Sequence, residues 1–244
     1  MSATFGCWLD LPSAAVAEVL AHAGFDWLLI DMEHGPIGIE TVMHCLMALK
    51  GTDTRGIVRV AEGTEAAIKR ALDTGADGVM VPNVRSVDEA RDLARFFHYA
   101  PHGTRGEARS VIRAAKWGRG GAEYARSWPV NHKLILQIET PEGLAAADEI
   151  AQVPGVDMLF LGPADFAASA GVAPDAVEVR EAASELGRIA ARHGLRAGSV
   201  LFPGTDVADL LARGMTDLSI AGDVGLINTA ADKALAAARE VRDV

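Results

Sequence analysis

Two carboxylates stand where they could hold a divalent cation. Glu139 directly follows the apolar run Leu134–Ile138, and Asp165 follows the apolar run Met158–Leu161 by four residues. Residues that come directly after consecutive parallel strands meet at one end of a β/α barrel. Paired carboxylates that leave coordination positions open suit Mg²⁺, Mn²⁺ or Co²⁺, which keep water and accept substrate oxygens. The alternative is a pair of surface or salt-bridged acids, and the strand-end positions favour the metal site.

A histidine and an arginine could move a proton next to a carbonyl group. His34 follows the run Trp27–Asp31 by three residues, and it is the only one of the seven histidines at a predicted strand end. A neutral imidazole can accept a proton near neutral pH. Arg59 lies at the end of the next strand, where its guanidinium could hold a carboxylate or a developing enolate oxygen. The alternatives are a structural histidine and an internal salt bridge of Arg59 with Asp31 or Glu33.

No lysine stands at a predicted strand end. The lysines fall in helices, in an insert or in a turn, at Lys50, Lys69, Lys116, Lys133 and Lys233. Schiff-base catalysis needs a lysine amine beside the substrate carbonyl. The residues therefore favour an enolate stabilised by a metal and a fixed cation.

Eight short apolar runs alternate with helical patterns along the whole chain. They are Phe5–Leu9, Trp27–Asp31, Gly56–Val60, Gly78–Val81, Leu134–Ile138, Met158–Leu161, Arg196–Val200 and Asp217–Ile220. Such runs are typical of parallel strands buried on both faces. A Gly-x-Asp phrase precedes three of them, where glycine would end the preceding helix. The alternation predicts an α/β fold, a single (β/α)8 TIM barrel over residues 1–244; a doubly wound open sheet is the alternative, although no Gly-x-Gly-x-x-Gly follows a strand.

Two segments fall outside this alternation. Residues 100–131 separate the fourth and fifth strands and are rich in Arg, Gly and Trp, so we expect a lid over the catalytic face or an oligomer contact. The alanine-rich helix predicted at Val224–Val241 has a broad apolar face, and we expect it to contact another subunit.

The composition excludes several classes of function. A net charge of −10 argues against binding to nucleic acid or to an anionic membrane surface, both of which need clustered Lys and Arg. No apolar run is long enough to span a membrane, and the N-terminus lacks the pattern of a secretory signal. Cys7 and Cys45 are too few to form a disulfide framework or a thiolate metal site. We therefore expect a cytoplasmic protein that acts on small molecules.

Five motifs, taken in order, resemble the HpcH/HpaI family of class II pyruvate aldolases. They are Leu28-Leu29-Ile30-Asp31-Met32-Glu33-His34, Val58-Arg59, Leu72-Asp73-Thr74-Gly75-Ala76, Gln137-Ile138-Glu139 and Gly162-Pro163-Ala164-Asp165-Phe166. The resemblance covers nearly the whole chain, including Arg105-Gly106 and Trp117 of the insert. It implies a barrel of the phosphoenolpyruvate/pyruvate superfamily whose last helix is exchanged with a neighbouring subunit, in a trimer or a hexamer.

The same resemblance implies an activity. A member of the family cleaves 4-hydroxy-2-oxo acids reversibly to pyruvate or hydroxypyruvate and an aldehyde, through a metal-stabilised enolate. His34 would accept the proton and Arg59 would stabilise the enolate. Glu139 and Asp165 would hold the divalent metal. The pyruvate part of the substrate would contact Gln137 and the backbone at Ala164 and Asp165.

The residue that orients His34 has two candidates. The family has an aspartate that raises the basicity of the histidine, and it matches Asp73. Because Asp73 closes a helix, it should lie at the opposite end of its own barrel and reach a histidine only across a subunit interface. Asp31 is the alternative within one chain, and Glu33 would lie near the metal-bound waters.

Two other functions stay open. One is a carbon–carbon lyase of the same superfamily that acts on a CoA thioester, for which only the insert offers several basic residues. The other is a non-catalytic, metabolite-binding barrel, against which the set of His34, Arg59, Glu139 and Asp165 argues. The aldehyde is the part of the substrate that the family resemblance predicts least.

Overall fold

Eight parallel strands close into a barrel in a computed structural model that describes residues 2–242. Each strand pairs with its neighbours in chain order, and β8 pairs with β1 to close the barrel. The strands are β1 Thr4–Leu9, β2 Trp27–Asp31, β3 Arg55–Arg59, β4 Gly78–Val81, β5 Lys133–Ile138, β6 Met158–Leu161, β7 Arg196–Val200 and β8 Asp217–Gly222. The predicted fold and all eight predicted strands are confirmed, with ends that differ by two residues at most.

The helices surround the barrel and return the chain to its N-terminal end. They are α1 Ala14–His22, α2 Ile39–Ala48, α3 Glu65–Asp73, α4 Val87–Phe97, α5 Gly121–Asn131, α6 Pro141–Ile150, α7 Pro163–Ala170, α8 Val177–Arg192, α9 Val207–Ala212 and α10 Asp223–Arg242. Their starts follow the capping signals in the sequence. The Thr140 side chain accepts the Gly143 N–H with Pro141 in the first turn, and Ser86 accepts the Glu89 N–H.

The aspartates of the Gly-x-Asp phrases form hydrogen bonds that link neighbouring strands at their N-terminal ends. The glycines of these phrases have positive φ, as expected where a helix ends and the chain turns into a strand. The aspartates then accept a backbone N–H from the neighbouring strand. Asp26 accepts Phe5 N at 2.7 Å, Asp77 accepts Gly56 N at 2.8 Å, and Asp157 accepts Leu134 N at 2.9 Å. We call these three aspartates the rim aspartates.

Side chains fill the inside of the barrel. Seven buried residues form an inner cluster, with Trp8 packed against it: Trp27, Leu29, Ile57, Met80, Ile135, Met158 and Phe160. A larger cluster lies between the strands and the helices. The barrel is therefore a packed core, and chemistry must occur at one of its ends.

The insert lies at the end of the barrel away from the C-terminal ends of the strands. Arg113 donates to the carbonyl of Leu46 in the last turn of α2 at 3.1 Å, and also to the carbonyl of Thr74 after α3. Within one chain the insert, which follows helix α4 rather than a strand, therefore contacts the ends of α2 and α3, and the expected lid stays a prediction. The alternative, an oligomer contact, stays a prediction as well.

The last helix has little contact with its own barrel. After the buried Asp223, every residue of α10 from Val224 to Val241 is exposed. The exposed residues include Ile227 at 51% and Leu235 at 53%. Across residues 2–242, no helix is both long enough and apolar enough to pass through a bilayer.

Candidate active site

Arg59 is held rigidly at the C-terminal end of the barrel. Its Nε lies 2.9 Å from Asp31 Oδ1 and its Nη2 lies 2.6 Å from Asp31 Oδ2, so the carboxylate binds one edge of the guanidinium with both oxygens. Trp8 Nε1 donates to Asp31 Oδ2 at 3.2 Å, and its ring lies 4.9 Å from the guanidinium carbon. Although burial acts to raise the pKa of Asp31, the bonds from Arg59 lower it overall. The pair is thus ionised and fixed.

The third nitrogen of Arg59 faces other polar groups. Nη1 lies 2.8 Å from Glu33 Oε2 and 3.5 Å from Gln137 Oε1. A substrate oxygen could therefore approach a cation whose position is already set. The structure thus brings Glu33 and Gln137 together with Arg59, while their expected places beside the metal-bound waters and the pyruvate stay predictions.

His34 lies at the open side of this cluster. Its side chain is 66% exposed, and its Nε2 lies 3.8 Å from Glu33 Oε2. The Asp31 carboxylate is bonded to Arg59, Trp8 and the Glu33 N–H instead. Among the described residues Asp31 therefore binds Arg59 and forms no hydrogen bond with His34, and the choice between Asp31 and Asp73 as the residue that orients His34 stays a prediction.

Glu139 presents a buried carboxylate that lacks a hydrogen-bond partner at one oxygen. The residue is 5% exposed, and its Oε2 is one of the few buried side-chain oxygens without a partner among the described residues. Burial, then the negative charges of Asp165 and Glu33, raise its pKa to about 7. Such a carboxylate is costly unless a cation or a proton balances it.

Asp165 supplies the second carboxylate of this pair. It lies in the first turn of α7 and is exposed, close enough for its charge to act on Glu139. Gly162 makes room between the strands, because a Cβ there would contact Glu139 Oε2 and lie 2.7 Å from Gln137 Nε2. Within residues 2–242 no set of three or more His, Cys, Asp and Glu is arranged as a metal cluster. The residues present therefore fit a cation held by two carboxylates, with its other positions open.

The start of α7 offers backbone donors beside these carboxylates. Gly162 caps the helix without a side-chain acceptor, and Pro163 follows in the first turn. The N–H groups of Ala164 and Asp165 in such a turn have no partner within the helix. Helix N-termini bind carboxylate and phosphate groups in this way.

Asp73 lies at the other end of the molecule. It ends α3, and its Oδ1 accepts Arg105 Nη2 at 2.6 Å. Arg105 is buried and stacked near Trp128 and Tyr99, with its guanidinium carbon 4.3 and 4.5 Å from their rings. Asp73 is therefore not brought together with His34 in one chain.

Sequence reasoning missed three residues of this end. Trp8 and Asp10 come from β1, whose end was not searched for chemical groups, and Asp223 follows β8. Asp10 is partly buried beside Asp31, and burial, then the charges of Asp31 and Asp223, raise its pKa to about 6. The rule that located Arg59, looking at the end of each strand, would also have found Asp10.

Comparison with known proteins relates this chain to a family of aldolases and lyases. A sequence profile described as HpcH/HpaI aldolase/citrate lyase matches residues 4–230. A 2-dehydro-3,6-dideoxy-6-sulfogluconate aldolase of Pseudomonas putida is 47% identical over 172 residues, which are 70% of this chain and 66% of that protein. This chain therefore spans just under two thirds of that relative's length.

A longer alignment and a solved structure extend the comparison. A 2-keto-3-deoxy-L-rhamnonate aldolase of Shigella sonnei is 37% identical over 235 residues, covering 95% of this chain and 87% of that protein. A crystal structure of an HpcH/HpaI aldolase/citrate lyase family protein from Burkholderia cenocepacia superposes with a TM-score of 0.90 at 33% identity. That superposition covers 98% of this chain and 95% of the other.

Proposed function

The chain belongs to the HpcH/HpaI aldolase/citrate lyase family, and we propose that it is a class II aldolase. It cleaves 4-hydroxy-2-oxo acids reversibly to pyruvate, or hydroxypyruvate, and an aldehyde. The observation that carries this proposal is the immobilised Arg59 next to the partnerless carboxylate of Glu139. The named relatives that match this chain are aldolases of this type, and members of the family are typically dependent on a divalent metal.

The pyruvate part of the substrate would lie between β3, β5 and the start of α7. Its carboxylate accepts the free N–H groups of Ala164 and Asp165, where the positive end of the helix dipole favours an anion. Gln137 and Arg59 Nη1 face the 2-oxo oxygen. The guanidinium stabilises the negative charge that this oxygen gains when the bond between C3 and C4 breaks.

Glu139 and Asp165 would hold the divalent cation. When bound, Mg²⁺, Mn²⁺ or Co²⁺ polarises the 2-oxo group as a Lewis acid. The buried Glu139 has its charge balanced by the cation, which removes the cost of leaving Oε2 without a partner.

His34 moves the proton. In cleavage its neutral imidazole takes the proton from the C4 hydroxyl, and in the enolisation of pyruvate it takes one from the methyl group. The Glu33 carboxylate lies 3.8 Å from the ring, at His34 Nε2. Because His34 is exposed, the proton can pass from the imidazole to solvent.

The CoA-thioester alternative finds little support in the insert. Three of its arginines are directed to the chain's own acceptors: Arg105 to Asp73, Arg109 to Glu107 and Arg113 to backbone carbonyls. These contacts lie away from Glu139, so the insert does not offer this barrel's own site a cradle for the CoA phosphates.

We further propose a homo-oligomer, a trimer or a hexamer, in which α10 packs on a neighbouring subunit. The helix is exposed along its whole length beyond Asp223. In such an assembly, Asp73 with its partner Arg105 would approach the His34 of the next subunit and take the orienting role.

Exchange of the pyruvate methyl protons with deuterated water tests this function without a choice of aldehyde. We expect exchange that needs a divalent cation, is lost on exhaustive chelation, and falls by about 10² in His34→Ala, the usual contribution of a positioned general base. His22→Ala, which removes an exposed histidine at the end of α1, is the matched control. Exchange that survives chelation, or borohydride trapping of pyruvate on a lysine, would refute the proposal.

A further inference from the structure

The position of the aldehyde part of the substrate follows from the position proposed for pyruvate. If β3, β5 and the start of α7 take the oxoacid, the remaining part must point to the opposite side of the barrel end, formed by β1, β7 and β8. This step rests on the proposed function. The strand order of the closed barrel places β1 across from β5.

Most of that side offers no polar group to a ligand. The end of β7 continues into Leu201 and the buried Phe202, and β8 ends in Ala221 and Gly222. Asp223 is 1% exposed, and its carboxylate accepts the N–H groups of Asp10, Leu11 and Val224. Its hydrogen-bonding capacity is used within the protein.

Asp10 is different, because its carboxylate is directed at the site and is only partly buried. Trp8 packs on the inner cluster of the barrel, and Asp10, two residues later in an extended segment, faces the same side. Burial raises the pKa of the carboxyl group, which also lies close enough to Asp31 and Asp223 for their negative charges to raise it further. Gly222 leaves open space beside it, since a Cβ there would stay 4.0 Å from Asp10 Oδ2.

No cation is paired directly with this carboxylate. In the described part of the chain, Asp10 forms no salt bridge, and the guanidinium of Arg59 is taken by Asp31 and Glu33. With a pKa of about 6, Asp10 is ionised at pH 8. Burial and the charges of Asp31 and Asp223 raise the pKa of Asp10 more than the positive charge of Arg59 lowers it, so Asp10 presents a poorly balanced negative charge and acceptor atoms to a ligand on the β1 side.

We propose that Asp10 determines the aldehyde class, accepting hydrogen bonds from the hydroxyl groups of neutral hydroxyaldehydes and rejecting aldehydes that carry a carboxylate, sulfonate or phosphate. A hydroxyl donates to a carboxylate, whereas a second anion is repelled by it in a partly desolvated site. Specificity of this kind comes from a repulsive element as much as from an attractive one.

Two aldehydes of matched size separate these effects. In condensation, C3 of the pyruvate enolate forms a bond to the aldehyde carbon, the methyl group loses one proton, and the aldehyde oxygen gains one. Glycolaldehyde and glyoxylate differ only in a CH₂OH group against a carboxylate. The readout is the ratio of kcat/KM for glyoxylate to kcat/KM for glycolaldehyde, with pyruvate as donor at pH 8.

Three variants make the test specific. We expect Asp10→Asn to raise this ratio by about tenfold or more, because it removes the charge and keeps the shape. Asp10→Glu, which keeps the charge, should leave the ratio near that of the parent. Asp88→Asn removes the same charge from the exposed face of α4 and should not change the ratio.

The outcomes distinguish this inference from the proposed function. A parent enzyme that does not exchange the pyruvate methyl protons refutes the function itself. A parent that exchanges them, together with an Asp10→Asn ratio equal to the parent's, refutes the role of Asp10 alone. An equal shift in Asp88→Asn, or loss of discrimination in Asp10→Glu, also refutes it. Discrimination in the parent should decrease as ionic strength rises.

Discussion

At the scale of residues, the Arg59 side chain at the C-terminal end of the barrel is held by contacts from several neighbours. Asp31 binds two nitrogens of Arg59 along one edge of the guanidinium, Glu33 lies beside the third nitrogen, and the ring of Trp8 packs near it. A group held in this way does not reorganise when charge develops on the substrate. Preorganised donors of this kind are usually the largest single contribution to catalysis.

We therefore expect Arg59→Lys to be strongly impaired. A lysine ammonium cannot bind both oxygens of Asp31 and still present a donor to the substrate. Pyruvate methyl exchange should fall by about 10²–10³, the usual loss for one such donor. Arg55→Lys, at the exposed start of the same strand, is the control. Exchange at the parental rate in Arg59→Lys would show that Arg59 is structural.

The raised pKa of Glu139 predicts competition between metal ion and proton. Burial and the charges of Asp165 and Glu33 raise this pKa to about 7, so the group is protonated below that pH. The affinity for Mn²⁺ should be constant at high pH and decrease through pH 7, by about tenfold per unit below it. Titration calorimetry in buffers of different ionisation enthalpy should detect about three quarters of a proton released per ion at pH 6.5, the fraction of Glu139 that is protonated there. A Kd independent of pH between 6 and 8 would contradict this.

At the scale of elements, side-chain hydrogen bonds link the strands at their N-terminal ends, and the side chains proposed for chemistry lie at the opposite end of the barrel. Each rim aspartate accepts a backbone N–H from the preceding strand, so the pairs β1–β2, β3–β4 and β5–β6 are each linked at the N-terminal end. The groups proposed for chemistry follow the C-terminal ends of the strands. A change at the rim should therefore affect stability more than activity.

Asp77 gives the clearest test of this separation. Asp77→Ala leaves the Gly56 N–H without its acceptor at 2.8 Å, which should cost about 1–3 kcal/mol of unfolding free energy. Asp77→Asn keeps an acceptor oxygen, and since burial raises the pKa of Asp77, losing the charge should cost less. Urea denaturation of both variants checks the order, and methyl exchange should stay at the parental rate. Equal losses in Ala and Asn would show that the hydrogen bond is not the cause.

The barrel could be predicted because its signals are local. Apolar runs, Gly-x-Asp turns and capping residues each act over a few residues, and they located every strand. Side-chain contacts between residues far apart in the sequence were harder to predict. The sequence left Arg59 with either Asp31 or Glu33, and the folded chain uses both. The contacts of the insert with the ends of α2 and α3 could not be predicted from its spacing between two strands, because helix α4 lies between β4 and the insert.

At the scale of the whole molecule, the chain leaves a long helix without a partner. The exposed stripe of α10 includes Val224, Ile227 and Leu235, which recur at helical spacing. A 20-residue helix whose main contacts with its own barrel are with β1 and β8 gains little stability from packing. A second copy of this chain is the occupant that we propose for this stripe.

Charges placed in that stripe should separate the subunits. We expect the double variant Ile227→Asp and Leu235→Asp to sediment as a smaller species than the parent and to lose pyruvate exchange, because Asp73 would no longer reach the neighbouring His34. Lys233→Asp changes the charge at a position off the stripe and serves as the control. A parent that sediments as a fully active monomer would rule out the assembly.

The carboxylate of Asp223 joins two parts of the molecule that would otherwise move separately. It holds the N–H groups of Asp10 and Leu11 after β1, and that of Val224 at the start of α10. A small rotation of α10 is thereby passed to the backbone that carries Asp10. If a neighbouring subunit packs on α10 as proposed, subunit association and aldehyde binding beside Asp10 become coupled. The coupling is reciprocal, so a bound aldehyde strengthens association by the same factor by which association strengthens aldehyde binding. Dilution should then shift substrate preference, and a preferred aldehyde should slow dissociation.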